Sequence, residues 1–304
     1  MAKGGVAAER RRPHSHLREA TVGYAFILPA LVGIVALYLF PLIKTAYLSF
    51  TKTGVFGDST FIGGANYANL VTDPTFGTAL RSSAIYTVIV LLAIPISIVI
   101  AALIAQVRHG ATLYRIAYFL PVVTLPVAVG MVWRFIYNGD FGLLNALLSL
   151  IGIDGKAWVA DPTVAIFAVS AVGIWTSLGT AIIILGAGLQ GIPQDLYEAA
   201  SLDGAGPLRQ FRSITLPLLT PSIFFVSVLS VIGSLQMFDL IYVMIGRNNP
   251  ALSQSQTIVY LFYQKAFVEG NRGYGAAIAI ALLLIIMALT AIQFRLQKRW
   301  VFYG

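Results

Sequence analysis

Side chains able to do chemistry are sparse along the apolar part of this chain, and they gather into three groups. One is Trp175, Ser177 and Thr180, with Thr176 among them, in the middle of a long apolar run. Another is Ser230, Ser234, Gln236, Met237 and Asp239 in a later run. Ser230, Ser234 and Met237 stand three or four residues apart, which puts them on one face of a helix. Hydroxyls, an amide and aromatic rings together suit a neutral, polyhydroxylated ligand, because hydroxyls exchange hydrogen bonds while rings cover apolar sugar faces. Small hydroxylated residues also hold membrane helices together, so spacing leaves both readings open. Asp239 lies near the outer end of its run, where an acid can reach the interface or meet a base.

The third group is a polar interruption, Glu198–Pro217, reading EAASLDGAGPLRQFRSITLP. Good helix formers after Pro193 predict a short helix that runs into Leu202. Gly204 and the Gly206-Pro207 pair then force a turn, Leu208–Ile214 offers a second short helix, and Pro217 marks re-entry into apolar sequence. Ala199 and Ala200 permit close approach between the charges of Glu198 and Asp203, and Glu198 can accept charge-assisted hydrogen bonds from a partner. Such order fits a rigid plug for a partner outside the membrane better than a simple connector.

Catalysis has no visible residues. The twelve carboxylates are mostly dispersed in loops, the three histidines form no spaced ligand set, and cysteine is absent. There is no Ser-His-Asp order, no H-E-x-x-H and no G-x-x-x-x-G-K-[ST] phosphate cradle. Gly204-Ala205-Gly206 follows a predicted helix rather than a strand, which removes a dinucleotide reading. The expectation is a chain without catalytic residue, metal or cofactor, whose energy arrives from elsewhere.

The elements that must position these groups are membrane helices. The 304 residues are 58% hydrophobic and 11% charged, with a mean hydropathy of +0.83. Soluble domains carry about 25% charged residues. Spans of about 20 apolar residues are expected at Thr21–Leu48, Ser83–Val107, Leu113–Tyr137, Ala165–Leu189, Pro221–Ile245 and Tyr274–Phe294. Pro121 and Pro126 should kink the third. Ahead of the first lies a basic tail, residues 1–20, read as disorder or an interfacial helix. The first run is too long for a cleaved signal peptide, so it is an anchor.

The net charge of +8 comes from Lys and Arg concentrated on one face. That face holds both ends of the chain, the turn at Arg108 and Arg115, and the Glu198 loop, and it is therefore cytoplasmic. No basic-aromatic module points to nucleic acid. The intervening segments Thr51–Ala79 and Asn138–Thr163 read as outer loops, with Leu143–Ile151 lying along the membrane surface. Trp133, Tyr137 and Trp158 fit an interfacial aromatic belt.

Glu198, Ala199, Ala200, Gly204, Ile214, Leu216 and Pro217 match the E-A-A, three residues, G, nine residues, I-x-L-P pattern of binding-protein-dependent ABC importer permeases. The wider text resembles their carbohydrate-uptake branch, the permeases for maltose, glycerol-3-phosphate and multiple sugars. Supporting stretches are Val132-Trp133-Arg134, Gly142-Leu143-Leu144-Asn145, Trp158 through Asp161-Pro162, Gly188 through Pro193, Phe238 through Tyr242, and Gly273 through Ala277. The likeness spans about Val22 to Lys298. Where that family usually carries Thr-Gly-Gly-Gly-Pro, this chain has Gly246-Arg247-Asn248-Asn249-Pro250 after Ile245.

The resemblance implies an all-α polytopic fold of the type I importer kind, residues 21–304, in a bacterial or archaeal cytoplasmic membrane. It also implies a second permease chain, a dimer of ATP-binding cassette ATPases that bind ATP and magnesium, and an external solute-binding protein. Glu198, Ala199, Ala200, Asp203 and Gly204 would then couple the chain to the ATPases. Substrate would pass Trp175, Ser177, Thr180, Ser230, Ser234, Gln236, Met237 and Asp239. The rival class, an ion-coupled transporter or channel acting alone, would need ionisable groups at mid-membrane, and only Asp239 is a candidate.

Overall fold

A computed structural model describes residues 14–53, 58–105, 107 and 111–302. The tail before residue 14, together with Arg108 and His109, lies outside the described residues. Helix α1 (His14–Ile34) begins earlier than expected, so the end of the basic tail is already helical. A π-helical turn, Val35–Leu39, carries it into α2 (Phe40–Leu48). The window from Thr21 to Leu48 has no buried residue, and α2 packs against the last helix and touches the first strand that follows it.

The expected loop Thr51–Ala79 is largely ordered. Strands β1 (Thr51–Thr53) and β2 (Ser59–Phe61) pair antiparallel with Thr51 opposite Phe61, a small exception to the all-helical expectation. Helix α3 (Ala65–Thr72) follows, and α4 (Pro74–Val90) starts nine residues before the span expected at Ser83. Pro74 opens α4 at a position where its missing N–H costs nothing, and the Asp73 side chain caps the Thr75 N–H at 2.8 Å. With α5 (Ala93–Ala105) it forms one span, Pro74–Ala105.

The third expected span is a broken pair. Helices α6 (Ala111–Val123) and α7 (Pro126–Ile136) meet at 108°. The residue before a proline is pushed out of the helical region, and Leu125 accordingly sits at φ −60°, ψ 130°. Pro121, by contrast, is carried inside α6. Helix α8 (Leu143–Ser149) occupies the predicted short apolar stretch, and α9 (Ala165–Gln190) is the fourth span, essentially as read. Half of its most apolar window is buried, which makes it the central helix of the bundle.

After α9 come α10 (Gln194–Leu202), α11 (Pro207–Gln210), a π turn at Phe211–Thr215, α12 (Leu216–Leu218) and α13 (Thr220–Leu235). The stretch Pro207–Leu218 meets α13 at 63°. The fifth span was expected to run to Ile245, yet the helix ends at Leu235. The chain turns at Gln236 and Met237 and resumes as a π turn at Ile241–Ile245. Just past that end, the Thr257 hydroxyl donates to the Met237 carbonyl at 2.7 Å, a carbonyl that a continuous helix would pair within its own turn. Helices α14 (Leu252–Ser255), α15 (Ile258–Tyr263) and α16 (Arg272–Trp300) complete the chain.

Two ends of the bundle are distinct. One gathers the hairpin, α3, α8, α14 and α15, tied by Asn249 to the Val159 carbonyl (2.9 Å) and by Ser82 to the Gln254 carbonyl (2.8 Å). The other carries α10 to α12, and there the Phe302 N–H donates to the Thr220 hydroxyl at 2.9 Å. This grouping is the one expected from the Lys and Arg distribution, although which end faces the cytoplasm is set by charge and not by the fold.

The hairpin end is clasped to α16. The Tyr274 hydroxyl donates to Asp73 Oδ2 at 2.7 Å, the Gly273 N–H donates to the Thr53 hydroxyl at 3.1 Å, and Asn66 donates to the Ser49 and Thr51 carbonyls at 2.8 and 2.9 Å. Burial pushes the Asp73 carboxyl up, but hydrogen bonds from Tyr274 and Thr75 outweigh it and hold its pKa below the ordinary value. A lowered carboxylate stabilises the fold above its unfolded pKa of about 3.9 and loses that contribution as pH falls through the folded value. Asp73→Asn should therefore lower stability at pH 7 by about 1–2 kcal/mol, the scale of a hydrogen bond to a charged group at a partly exposed site. Thermal unfolding in detergent checks this: the gap between wild type and variant should close below about pH 4.

Candidate functional site

Helix α10 ends in a Schellman motif. The Gly204 N–H reaches the Ser201 carbonyl at 3.0 Å and the Ala205 N–H reaches the Ala200 carbonyl at 2.9 Å. This closure needs a left-handed residue just past the helix, normally glycine, and Gly204 has φ +74°. Side chains stiffen the turn further. Gln210 Nε2 donates to the Ser201 hydroxyl (2.9 Å) and the Ala205 carbonyl (3.0 Å), and the Tyr197 and Thr215 hydroxyls meet at 2.9 Å. The two limbs of the loop are thus tied at both ends.

Glu198, Ala199, Asp203 and Gly204 are exposed and Ala200 is half-buried, so the predicted group shares one protruding element. Leu202, which sequence reasoning passed over, projects from it at 90% exposure, with Leu208 also exposed. Among the described residues Glu198 and Asp203 form no ion pair. The α10 turn thus presents two carboxylates around an exposed leucine on a stiffened element.

Toward the middle of the bundle, α4, α9 and α13 line a half-open cavity of about 280 Å3. It brings together Ser177 and Thr180 from α9 with Ser230, Ser234 and Met237, as well as Thr176 and Tyr86. The one-face reading of Ser230, Ser234 and Met237 is what aims them jointly into this space. Gly173 makes it possible: a Cβ there would overlap the Tyr86 hydroxyl and stand 2.8 Å from Val90. Tyr86 is 1% exposed and fixed against that glycine.

The hydroxyls divide by role. Ser82 and Ser83 join helices, Ser83 accepting from the Ile258 N–H at 3.0 Å. Thr176 donates back to the Gly173 carbonyl at 3.0 Å and Ser234 to the Val231 carbonyl at 3.2 Å. Ser177, Thr180 and Ser230 instead make no hydrogen bond among the described residues. Helix glue would use these groups between helices; here they face the cavity unspent.

Three predicted residues fall outside that cavity. Trp175 is half-buried in a ring cluster, 5.9 Å from Trp133, which in turn lies 5.2 Å from Tyr137. Gln236 is exposed as the cap of α13. Asp239 is exposed in the break that follows and has no ion pair among the described residues. The expectation that these three join the serines and threonines fails because each lies off the lining face: Trp175 packs against Trp133, and Gln236 and Asp239 stand off the stripe that Ser230, Ser234 and Met237 share. Tyr86 is the lining residue that spacing did not reveal.

A family described as the binding-protein-dependent transport system inner membrane component matches residues 76–301. The chain belongs to this family of transport permeases. It is 35% identical over 283 residues to the probable ABC transporter permease protein YurN of Bacillus subtilis, covering 91% of this chain and 96% of that one. It is 32% identical to the arabinooligosaccharides transport system permease protein AraP of Halalkalibacterium halodurans, with 96% of each chain covered. The sn-glycerol-3-phosphate transport system permease protein UgpA of Agrobacterium fabrum is 32% identical, covering 92% of this permease and 96% of UgpA. In fold, the permease is similar to a chain of a bacterial alginate ABC transporter solved with an alginate pentasaccharide-bound periplasmic protein. There the TM-score is 0.85 at 20% identity, over 97% of this permease and all of that chain. As a family member it is a multi-pass, non-catalytic component of the inner membrane.

Proposed function

We propose that this permease is one of two membrane subunits of an ATP-driven importer, and that it moves a sugar or related polyhydroxylated solute into the cytoplasm by alternating access. A solute-binding protein delivers the substrate from outside. Two ATPase subunits, which bind ATP and magnesium, dock on the α10 element, with both chain ends on their side of the membrane. Glu198, Ala199, Ala200, Asp203 and Gly204 form the contact, and Leu202 adds an apolar centre. Closure of the ATPase dimer pushes this stiff element and opens the pathway outward, and hydrolysis resets it.

One observation carries the choice of substrate class: three unspent hydroxyls, Ser177, Thr180 and Ser230, converge on one cavity without a charged lining residue. A neutral ligand rich in hydroxyls satisfies them, whereas an ion would find no counter-charge there. The arabinooligosaccharide transport named for AraP supports the same reading. The test is uptake by the full complex in lipid vesicles. The probes are labelled mono-, di- and trisaccharides of glucose, galactose, xylose and arabinose, offered with the binding protein. ATP-dependent entry of at least one is the expected result. Uptake driven by a proton or sodium gradient without the ATPases would overturn it.

Leu202→Asp supplies a further prediction. It leaves the helix intact, since the side chain is exposed, and removes apolar contact worth about 1.5–3 kcal/mol when fully buried. Co-purification of the ATPase with the variant should fall by about tenfold or more.

A further inference from the structure

The cavity of about 280 Å3 lies at the small end of the roughly 300–1,000 Å3 found for small-molecule sites, so it holds on the order of one sugar ring. The last residue of its lining in the chain is Met237. The next residue, Phe238, opens an aromatic platform carried by the break after α13 and by α15. Phe238 stacks on Tyr242 with centroids 5.2 Å apart and planes 27° apart. Tyr263 lies 5.2 Å from Phe238 and edge-on to Tyr242 at 5.7 Å. Tyr260 closes the back, 6.1 Å from Phe238.

Burial gives the platform a fixed side and an open side: Tyr260 is 3% exposed, while Tyr242 is 46% exposed and Asp239 is exposed beside it. Rings in a membrane-interface belt are held by headgroups individually. These four touch one another, and the Thr257–Met237 hydrogen bond of 2.7 Å locks the segments that bear them. The surface therefore keeps its shape without lipid. Flat rings cover the apolar face of a pyranose, tyrosine hydroxyls donate and accept at its edge, and a carboxylate accepts from vicinal hydroxyls.

We propose that Phe238, Tyr242 and Tyr263, with Asp239 beside them, form a second sugar subsite next to the cavity, so that the substrate is an oligosaccharide of two or more rings. One ring occupies the cavity and the next stacks on the platform. This rests on the sugar reading above and narrows it. Phe238 and Tyr242, four residues apart, share one face after the break in α13, and Tyr260 and Tyr263 meet that face from α15.

The experiment uses the complete transporter in vesicles with the same saccharide panel. Wild type should take up a di- or trisaccharide, and Tyr242→Ala should cut that uptake at least tenfold through a higher KM. Tyr242→Phe, which keeps the ring, should stay within about threefold of wild type, and Asp239→Asn should fall between the two. Co-purification with the second permease chain controls for folding and assembly and should be unchanged in every variant. Wild-type uptake of monosaccharides alone would overturn the second subsite and leave the sugar reading standing. Undiminished oligosaccharide uptake by Tyr242→Ala, or loss of assembly in that variant, would also overturn it, the latter marking the ring as a subunit contact. If nothing in the panel enters with ATP, the sugar reading itself falls.

Discussion

Glu198→Lys should abolish ATP-driven uptake while the permease still inserts, folds and assembles with its membrane partner. Glu198 is exposed on α10 and forms no ion pair among the described residues, so the fold does not depend on its charge. In the proposed assembly its role lies at the docked surface, where truncating one side of a desolvated charged contact costs about 2–5 kcal/mol. Reversal adds repulsion, so uptake and substrate-stimulated ATP hydrolysis should both fall by about 100-fold or more. Gly204→Asp should act similarly by a different route. An added Cβ there meets nothing within 4 Å of its own chain, so the side chain projects onto the docking face. The left-handed backbone at φ +74° adds about 1–2 kcal/mol of strain for a residue with a Cβ,. Gly204→Ala separates the two effects: it carries the strain without the bulk and should retain most uptake. Full uptake by both Glu198→Lys and Gly204→Asp would remove the coupling role from α10.

Much of this element was legible in the sequence because its determinants are local. A helix former run closed by glycine is a C-terminal signal that spacing alone exposes, and Gly204 duly forms the Schellman closure. The stiffness was not legible: Tyr197 and Thr215 are 18 residues apart, and their hydrogen bond exists only once the loop has folded back. The spans follow the same division. Hydropathy located the four unbroken ones, and Pro126 marked the break in the third. The early end of α13 was invisible, because Leu240–Ile245 is as apolar as the helix before it. The carbonyl of Met237, just past the end of the helix, is taken by Thr257, 20 residues on. Ser230, Ser234 and Met237 reach the cavity because they share one stripe, and Gln236 and Asp239 lie off it.

Tyr86 was equally hidden, and it leads to the second large effect. Gly173→Val should close the cavity. The new Cβ would overlap the Tyr86 hydroxyl and stand 2.8 Å from both the Tyr86 ring and Val90. Buried at 1% exposure, Tyr86 is free to yield chiefly toward the space it lines. Overpacking of this kind costs about 1–3 kcal/mol of stability, which a bundle of this size can absorb, but the cavity of about 280 Å3 has no room to spare for a displaced ring. Uptake should therefore drop far more than stability does, by about 100-fold for a loss of near 3 kcal/mol in binding. The double variant Gly173→Val/Tyr86→Ala tests the cause. Removing the ring returns the space that valine takes, so the pair should recover uptake to within about tenfold of wild type, a coupling expected only of residues in contact. If the double variant is as inactive as Gly173→Val, the loss comes from helix packing and not from the cavity. If Gly173→Val transports normally, the space between α4, α9 and α13 is not on the substrate's path.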